Sequence, residues 1–198
     1  MAIENGYCTL AQVKTALRID DNIDDELLEL AIEAASREID QACERIFYQV
    51  TATRVYTPRD SYVTEIDDLV TLTTLKTSTG ADGEFDNTIT NPRDFQLEPL
   101  NGIAGGLESP TTQIRLTRDF LYPTDRQDAT VQVTGVFGWP SIPTAIKQAA
   151  VILSSRIFKR NESPLGVAGF SDIGAVRVSR LDPDVEALIM PFKKVRMA

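Results

Sequence analysis

From Leu27 to Ile46 the apolar side chains recur at helical steps, and from Val50 onward they recur every second residue. That change of period constrains the chain most, because a helical stripe cannot lie flat in a sheet and an alternating one cannot cover a helix. Leu27, Leu28, Ala31, Ile32, Ala35, Ile39, Ala42, Cys43 and Ile46 form a wide stripe on a helix predicted from about Asp25 to Arg45. Glu26, Glu29, Glu33, Arg37, Asp40 and Glu44 form its opposite face. Ahead of it, Thr9 and Gln12 have the spacing of a capping box, opening a short helix to about Arg18. Ile19 to Asp24 is a turn. Asp24 is expected to cap the second helix, with Asp25 and Glu26 at its positive end.

The alternating part is rich in β-branched residues, and Val70 to Thr77 reads as a strand. Gly80 to Gly83 is a turn. Further strands are predicted around Phe85–Thr90, Phe95–Glu98, Gln113–Thr117 and Thr130–Phe137, with a loop over Asn101–Gly106. Short strands separated by turns point to an antiparallel sheet. Pro143 suits the first turn of a third helix, whose buried face is Ile146, Ala149, Ala150, Leu153, Ile157 and Phe158, ending near Arg160. Residues 162–174 read as a loop and Val176–Arg180 as a strand or extended arm. Asp182 and Pro183 open a short last helix, Pro191 stops it, and a basic tail follows. The fold class is α+β. A helical core of about four helices, two N-terminal and two C-terminal, spans 1–49 and 138–198, with a central antiparallel β insertion over 50–137.

The chain of 198 residues carries a net charge of −9, which disfavours uniform binding to nucleic acid or anionic membrane. Residues 1–49 carry −7, residues 50–138 carry −6 and residues 139–198 carry +4. A basic tail on an acidic body could join one copy to the next head to tail, a contact that closes into a ring if the rotation permits. Segregation of this kind also arises without function. No apolar run reaches membrane-spanning length, and the N-terminus lacks the charge and apolar core of a signal peptide, so a cytoplasmic protein is expected. Cys8 and Cys43 fall among apolar helical positions and are expected as buried, reduced thiols.

There is no histidine, which removes the usual general base and the commonest zinc ligand. Gly169–Gly174 misses the spacing of a nucleophile elbow, and Gly102–Gly106 lacks both the dinucleotide fingerprint and a phosphate-loop lysine. Asp20, Asn22 and Asp24 match the first positions of a calcium loop, but Asp25 and Ala31 stand where glycine and glutamate are needed. A helix-capping acidic turn is the simpler reading, with a weak cation site as the alternative. The pairs Asp20/Asp21, Asp24/Asp25 and Asp67/Asp68 do not by their spacing show the convergence that hydrolytic or two-metal chemistry needs. No enzyme, cofactor or metal is expected. The acidic face of the second helix reads either as a solvated surface or as the wall of a channel that repels passing phosphates.

Three stretches carry a family resemblance: Leu10–Asp21 with the Asp24-Asp-Glu-Leu-Leu helix start, the Cys43-Glu-Arg-Ile-Phe47 exit, and Trp139–Ala149 with Arg156–Glu162, a loop and a short terminal helix. Over about 7–48 and 136–196 the chain resembles the head–tail connector (adaptor) proteins of tailed bacteriophages and prophages. The larger β segment departs from the smaller, mostly helical members. The resemblance implies a structural subunit in the virion neck, assembled in the bacterial cytoplasm. It implies a ring of about twelve copies beneath the portal, as closed symmetry favours. That ring would extend the DNA channel without sequence-specific binding and dock a stopper or tail-completion protein. It also implies a portal contact in the C-terminal segment, here Pro191, Phe192, Lys193, Lys194 and Arg196, with Phe192 as apolar anchor; a frayed tail is the alternative. Glu26, Glu29, Glu33, Asp40 and Glu44 are then candidates to face the channel.

Two other classes compete. A monomeric β-rich ligand- or carbohydrate-binding module could use Tyr56, Tyr62, Phe95 and Trp139 in a cleft. A metal-dependent hydrolase would use the aspartates and bind divalent cations.

Overall fold

A computed structural model describes residues 3–78, 84–117, 120–124, 129–162 and 182–194. The expected turn at Gly80–Gly83, the arm at Val176–Arg180 and Arg196 lie outside them. The chain divides into two compact units, residues 1–44 with 142–198, and residues 45–141.

Among the described residues the first unit holds four α-helices: α1 (Leu10–Leu17), α2 (Asp25–Cys43), α3 (Thr144–Glu162) and α4 (Pro183–Ile189). The capping box of α1 is complete, since Thr9 Oγ1 accepts from the Gln12 amide at 3.3 Å and Gln12 Oε1 accepts from the Thr9 amide at 2.9 Å. Thr9→Ala should lower stability by about 1 kcal/mol in urea denaturation. Arg18 and Glu44 both take left-handed backbone and end α1 and α2. α2 therefore stops at Cys43, short of the expected Arg45. Asp24 precedes α2 but makes no side-chain cap, so its expected role is not realised. Asp182 does cap α4, accepting from the Asp184 amide at 3.0 Å. Pro191 lies inside a 3-10 turn, Met190–Phe192, that continues α4.

Leu28, Ile32 and Ile39 of α2 and Ile146 and Ala150 of α3 are fully buried. Burial of each large side chain contributes about 1.5–3 kcal/mol. Ser36 sits among them because both its bonds are satisfied: it accepts from the Tyr7 amide at 3.0 Å and donates to the Ile32 carbonyl at 2.7 Å. Cys8 and Cys43 are free and buried, as expected. Burial pushes the Cys8 thiol pKa up, against the opposing bond with Ser154.

The second unit is the antiparallel sheet. Its strands are β1 (Val50–Tyr56), β2 (Val63–Thr77), β3 (Asn87–Ile89), β4 (Phe95–Glu98), β5 (Ile103–Ala104), β6 (Leu107–Glu108), β7 (Thr111–Leu116) and β8 (Val131–Phe137). Five run in the order β1-β8-β2-β7-β4, and β3 pairs with the far end of β2. The loop expected at Asn101–Gly106 instead holds most of a small β5–β6 hairpin. The strand expected from Val70 begins at Val63 and is bent by register shifts at Glu65/Leu69, Leu69/Thr71 and Leu72/Thr74. Gly135 of β8 serves the bend, since a Cβ there would meet the Thr71 carbonyl oxygen at 2.2 Å. The bent sheet encloses Ile66, Leu69, Leu75, Ile114, Val133 and Phe137 as its core. No helix among the described residues is long and apolar enough to cross a membrane.

Candidate assembly surfaces

α2 presents three strips, where the sequence suggested two. The buried strip runs Leu28, Ala31, Ile32, Ala35, Ile39 and Cys43. Leu27, expected within it, is 44% exposed and falls instead in line with Leu30, 48% exposed, and Ile23, 86% exposed, just ahead of the helix. The third strip carries Glu26, Glu29, Glu33, Asp40 and Glu44. Two of these carboxylates are engaged by the preceding chain: Glu33 accepts from the Glu4 amide and Asp40 from the Tyr7 hydroxyl. Arg37 lies 3.1 Å from Asp40 and 5.6 Å from the centre of the Tyr7 ring. Burial raises the Asp40 pKa, against the opposing effects of Tyr7 and Arg37. Glu26 and Glu44 are exposed.

The acidic turn holds an internal cation. Lys14 Nζ donates to Asn22 Oδ1 and to Asp25 Oδ1, each at 2.7 Å, and Asp21 accepts from the Ile23 amide at 3.1 Å. The lysine occupies the charge that would otherwise invite a metal, and no metal-holding cluster of acids and cysteines occurs among the described residues. Lys14→Met should lower stability by about 0.5–1 kcal/mol at low salt and by less at high salt, because the pair is partly exposed.

The described part of the C-terminal segment, Pro191–Lys194, closes the helical unit. Phe192 is 2% exposed, so the intended anchor belongs to the core of the helical unit. The Lys194 amide donates to the Cys43 carbonyl at 2.9 Å, fixing the turn to the end of α2. Lys193 Nζ reaches Glu186 at 3.4 Å. Pro191 and Met190 remain exposed.

Within the β unit, a polar cluster joins the entering and leaving chain. Asp68, 6% exposed, accepts from Arg45 Nη1 at 2.5 Å and from the Trp139 indole at 3.0 Å. Phe47 packs on Trp139 with ring centres 5.4 Å apart. Gln49 donates to the carbonyls of Trp139 and Pro140 at 3.2 and 3.0 Å. Gly138 completes the cluster with φ of 113° and an amide that donates to the Asp68 carbonyl at 2.8 Å. The exit motif Arg45-Ile-Phe47 and the motif beginning at Trp139 thus meet through a carboxylate that the sequence offered only as one of a pair. Asp67 turns away and accepts from Arg54 at 2.7 Å and from the Tyr56 hydroxyl at 3.1 Å. Burial and the Asp67 charge push the Tyr56 pKa to about 12.

The four aromatics offered for a ligand cleft do not converge on one. Trp139 is 2% exposed, Tyr62 is 51% exposed, Tyr56 is bound to Asp67, and Phe95 lines a groove of about 520 Å³ with Leu97, Thr88 and the β2 segment Val70–Thr74.

Residues 7–76 match the family described as phage gp6-like head-tail connector protein. Among solved structures, a chain in the neck of a native GTA particle computed with C12 symmetry aligns with TM-score 0.59 and 16% identity, covering 100% of this chain and 94% of that one. A chain in the neck of an empty GTA particle computed with C6 symmetry aligns with TM-score 0.56 and 14% identity, covering 100% and 95%. A chain of the virion of a native gene transfer agent particle aligns with TM-score 0.56 and 17% identity, again covering 100% and 95%. At these identities the likeness is one of fold. No curated protein matches. The matched segment is similar to the head–tail connectors, and the whole chain shares its fold with the neck chains. Of the two spans over which the resemblance runs, the match takes in residues 7–48 and continues into the sheet to residue 76.

Proposed function

We propose that this chain is a structural head–tail connector subunit in the neck of a phage or phage-derived particle. The match of residues 7–76 to the connector family carries this reading, and the full-length likeness of fold to neck chains supports it. In this proposal about twelve copies form a closed ring under the portal, extend the DNA channel and dock the stopper or tail. Residues 1–49 and 138–198 make the connector core and 50–137 the insertion. The ring assembles in the host cytoplasm and catalyses nothing.

The acidic strip of α2 is the proposed channel wall, where negative charge keeps DNA from sticking. Glu26, Glu29, Glu33, Asp40 and Glu44 supply it. Pro191, Lys193, Lys194 and Arg196 are the proposed portal contact, meeting an acidic partner surface. Phe192 anchors that contact only if its turn leaves the helical core.

Light scattering of the purified chain, alone and mixed with the portal encoded beside it, tests the proposal. A ring, or a monomer that joins the portal in a large complex, is expected. A monomer that ignores the portal would refute it.

A further inference from the structure

The exposed apolar strip of α2 has no counterpart in the buried core. Ile23, Leu27, Leu30 and Ala34 are spaced by four, three and four residues, and all are exposed. At about 100° per residue Leu27, Leu30 and Ala34 lie within a narrow band, roughly 140° round the helix from the buried strip, and Ile23 stands in the turn just ahead of them. Three large exposed side chains, Ile23, Leu27 and Leu30, set side by side mark an interaction surface rather than scattered surface apolarity. Its spacing is that of a helix face that docks in a groove.

The same helical unit carries such a groove. Between α1 and α3 lies an open trough of about 560 Å³, lined by Ala11, Gln12, Thr15 and Ala16 on one side and by Thr144, Lys147, Gln148 and Val151 on the other. Small side chains on α1 leave room for larger ones to enter. The charges are complementary, since Glu26 and Glu38 flank the strip while Lys147 lines the trough.

We propose that the Ile23–Leu27–Leu30–Ala34 strip of one copy seats in the α1–α3 trough of the next copy. The two surfaces are different, so the contact is heterologous and repeats head to tail, as a ring requires. This inference rests on the ring proposed above and names the surfaces that would build it.

Two full-length variants, Leu30→Cys and Gln148→Cys, one of them isotopically labelled, are mixed and treated with a short bis-maleimide. This is done at high protein concentration and again with the portal present. The native thiols at Cys8 and Cys43 are buried and do not compete. The expected result is cross-linking between position 30 of one chain and position 148 of another, with none from Leu30→Cys alone. A third chain, Leu27→Glu with Leu30→Glu, should associate roughly a hundredfold more weakly. It should melt as the parent does, because both positions are exposed. Assembly without the 30–148 link, or with 30–30 links, overturns this interface and leaves the connector reading standing. No assembly under either condition overturns both.

Discussion

Asp68→Ala should destabilise the β unit by about 3–5 kcal/mol, the largest loss expected of any single carboxylate here. The substitution leaves the Arg45 guanidinium without its buried counter-charge and the Trp139 indole without its acceptor. Asp68→Asn should lose less, about 1–2 kcal/mol, because an amide oxygen can still accept from the indole while the charge on Arg45 goes unanswered. Trp139 is the only tryptophan, so its fluorescence during urea denaturation reports this unit directly. Equal losses in the two variants would show that the ion pair, not the indole bond, holds the cluster. No loss in either would show that the cluster contributes nothing net.

Gly138→Ala is the second large effect. A Cβ at this position would lie 1.9 Å from the Tyr48 carbonyl oxygen, on backbone with φ of 113°. Neither the positive φ nor the contact can relax cheaply, because Tyr48 backbone, not a flexible side chain, is in the way. A loss of about 3–5 kcal/mol is expected by the same fluorescence measurement. Gly106→Ala is the matching control, with φ of 79° but open space around it. Its loss should be about 1 kcal/mol, from backbone strain alone. If both substitutions cost the same, the close approach to Tyr48 is not what requires glycine.

Elements whose local chemistry agrees with their packing were legible in the sequence. The Thr9–Gln12 box, the long period of α2 and the alternation of β8 each appear where they were expected. β2 was foreshortened because Asp67 and Asp68 interrupt its apolar pattern. The strand tolerates them by a register shift that sends Asp67 to Arg54 and Asp68 to Arg45 and Trp139. Such partners are distant in sequence, so no local window contains them. Leu27 was grouped with the buried strip because periodicity counts apolar residues without knowing how wide a face the neighbouring helices cover. Ser36 was missed for the opposite reason: it is polar, yet its two bonds let it sit in the core. The burial of Phe192 is not legible in its basic surroundings, because the 3-10 turn that folds it inward depends on packing against the helical unit. For the assembly surfaces, charge and apolar content were legible. Which strip faces outward was not, because that depends on packing across the helical unit.

The clasp between Gln49 and the Trp139–Pro140 backbone has a topological consequence. The β unit is one continuous stretch of chain, and it departs beside the point where it arrives. A loop closed at its root can lengthen, shorten or be exchanged without altering the separation of the two chain ends that the helices must accept. Size and surface in this unit can therefore vary while the spacing of its two ends stays fixed.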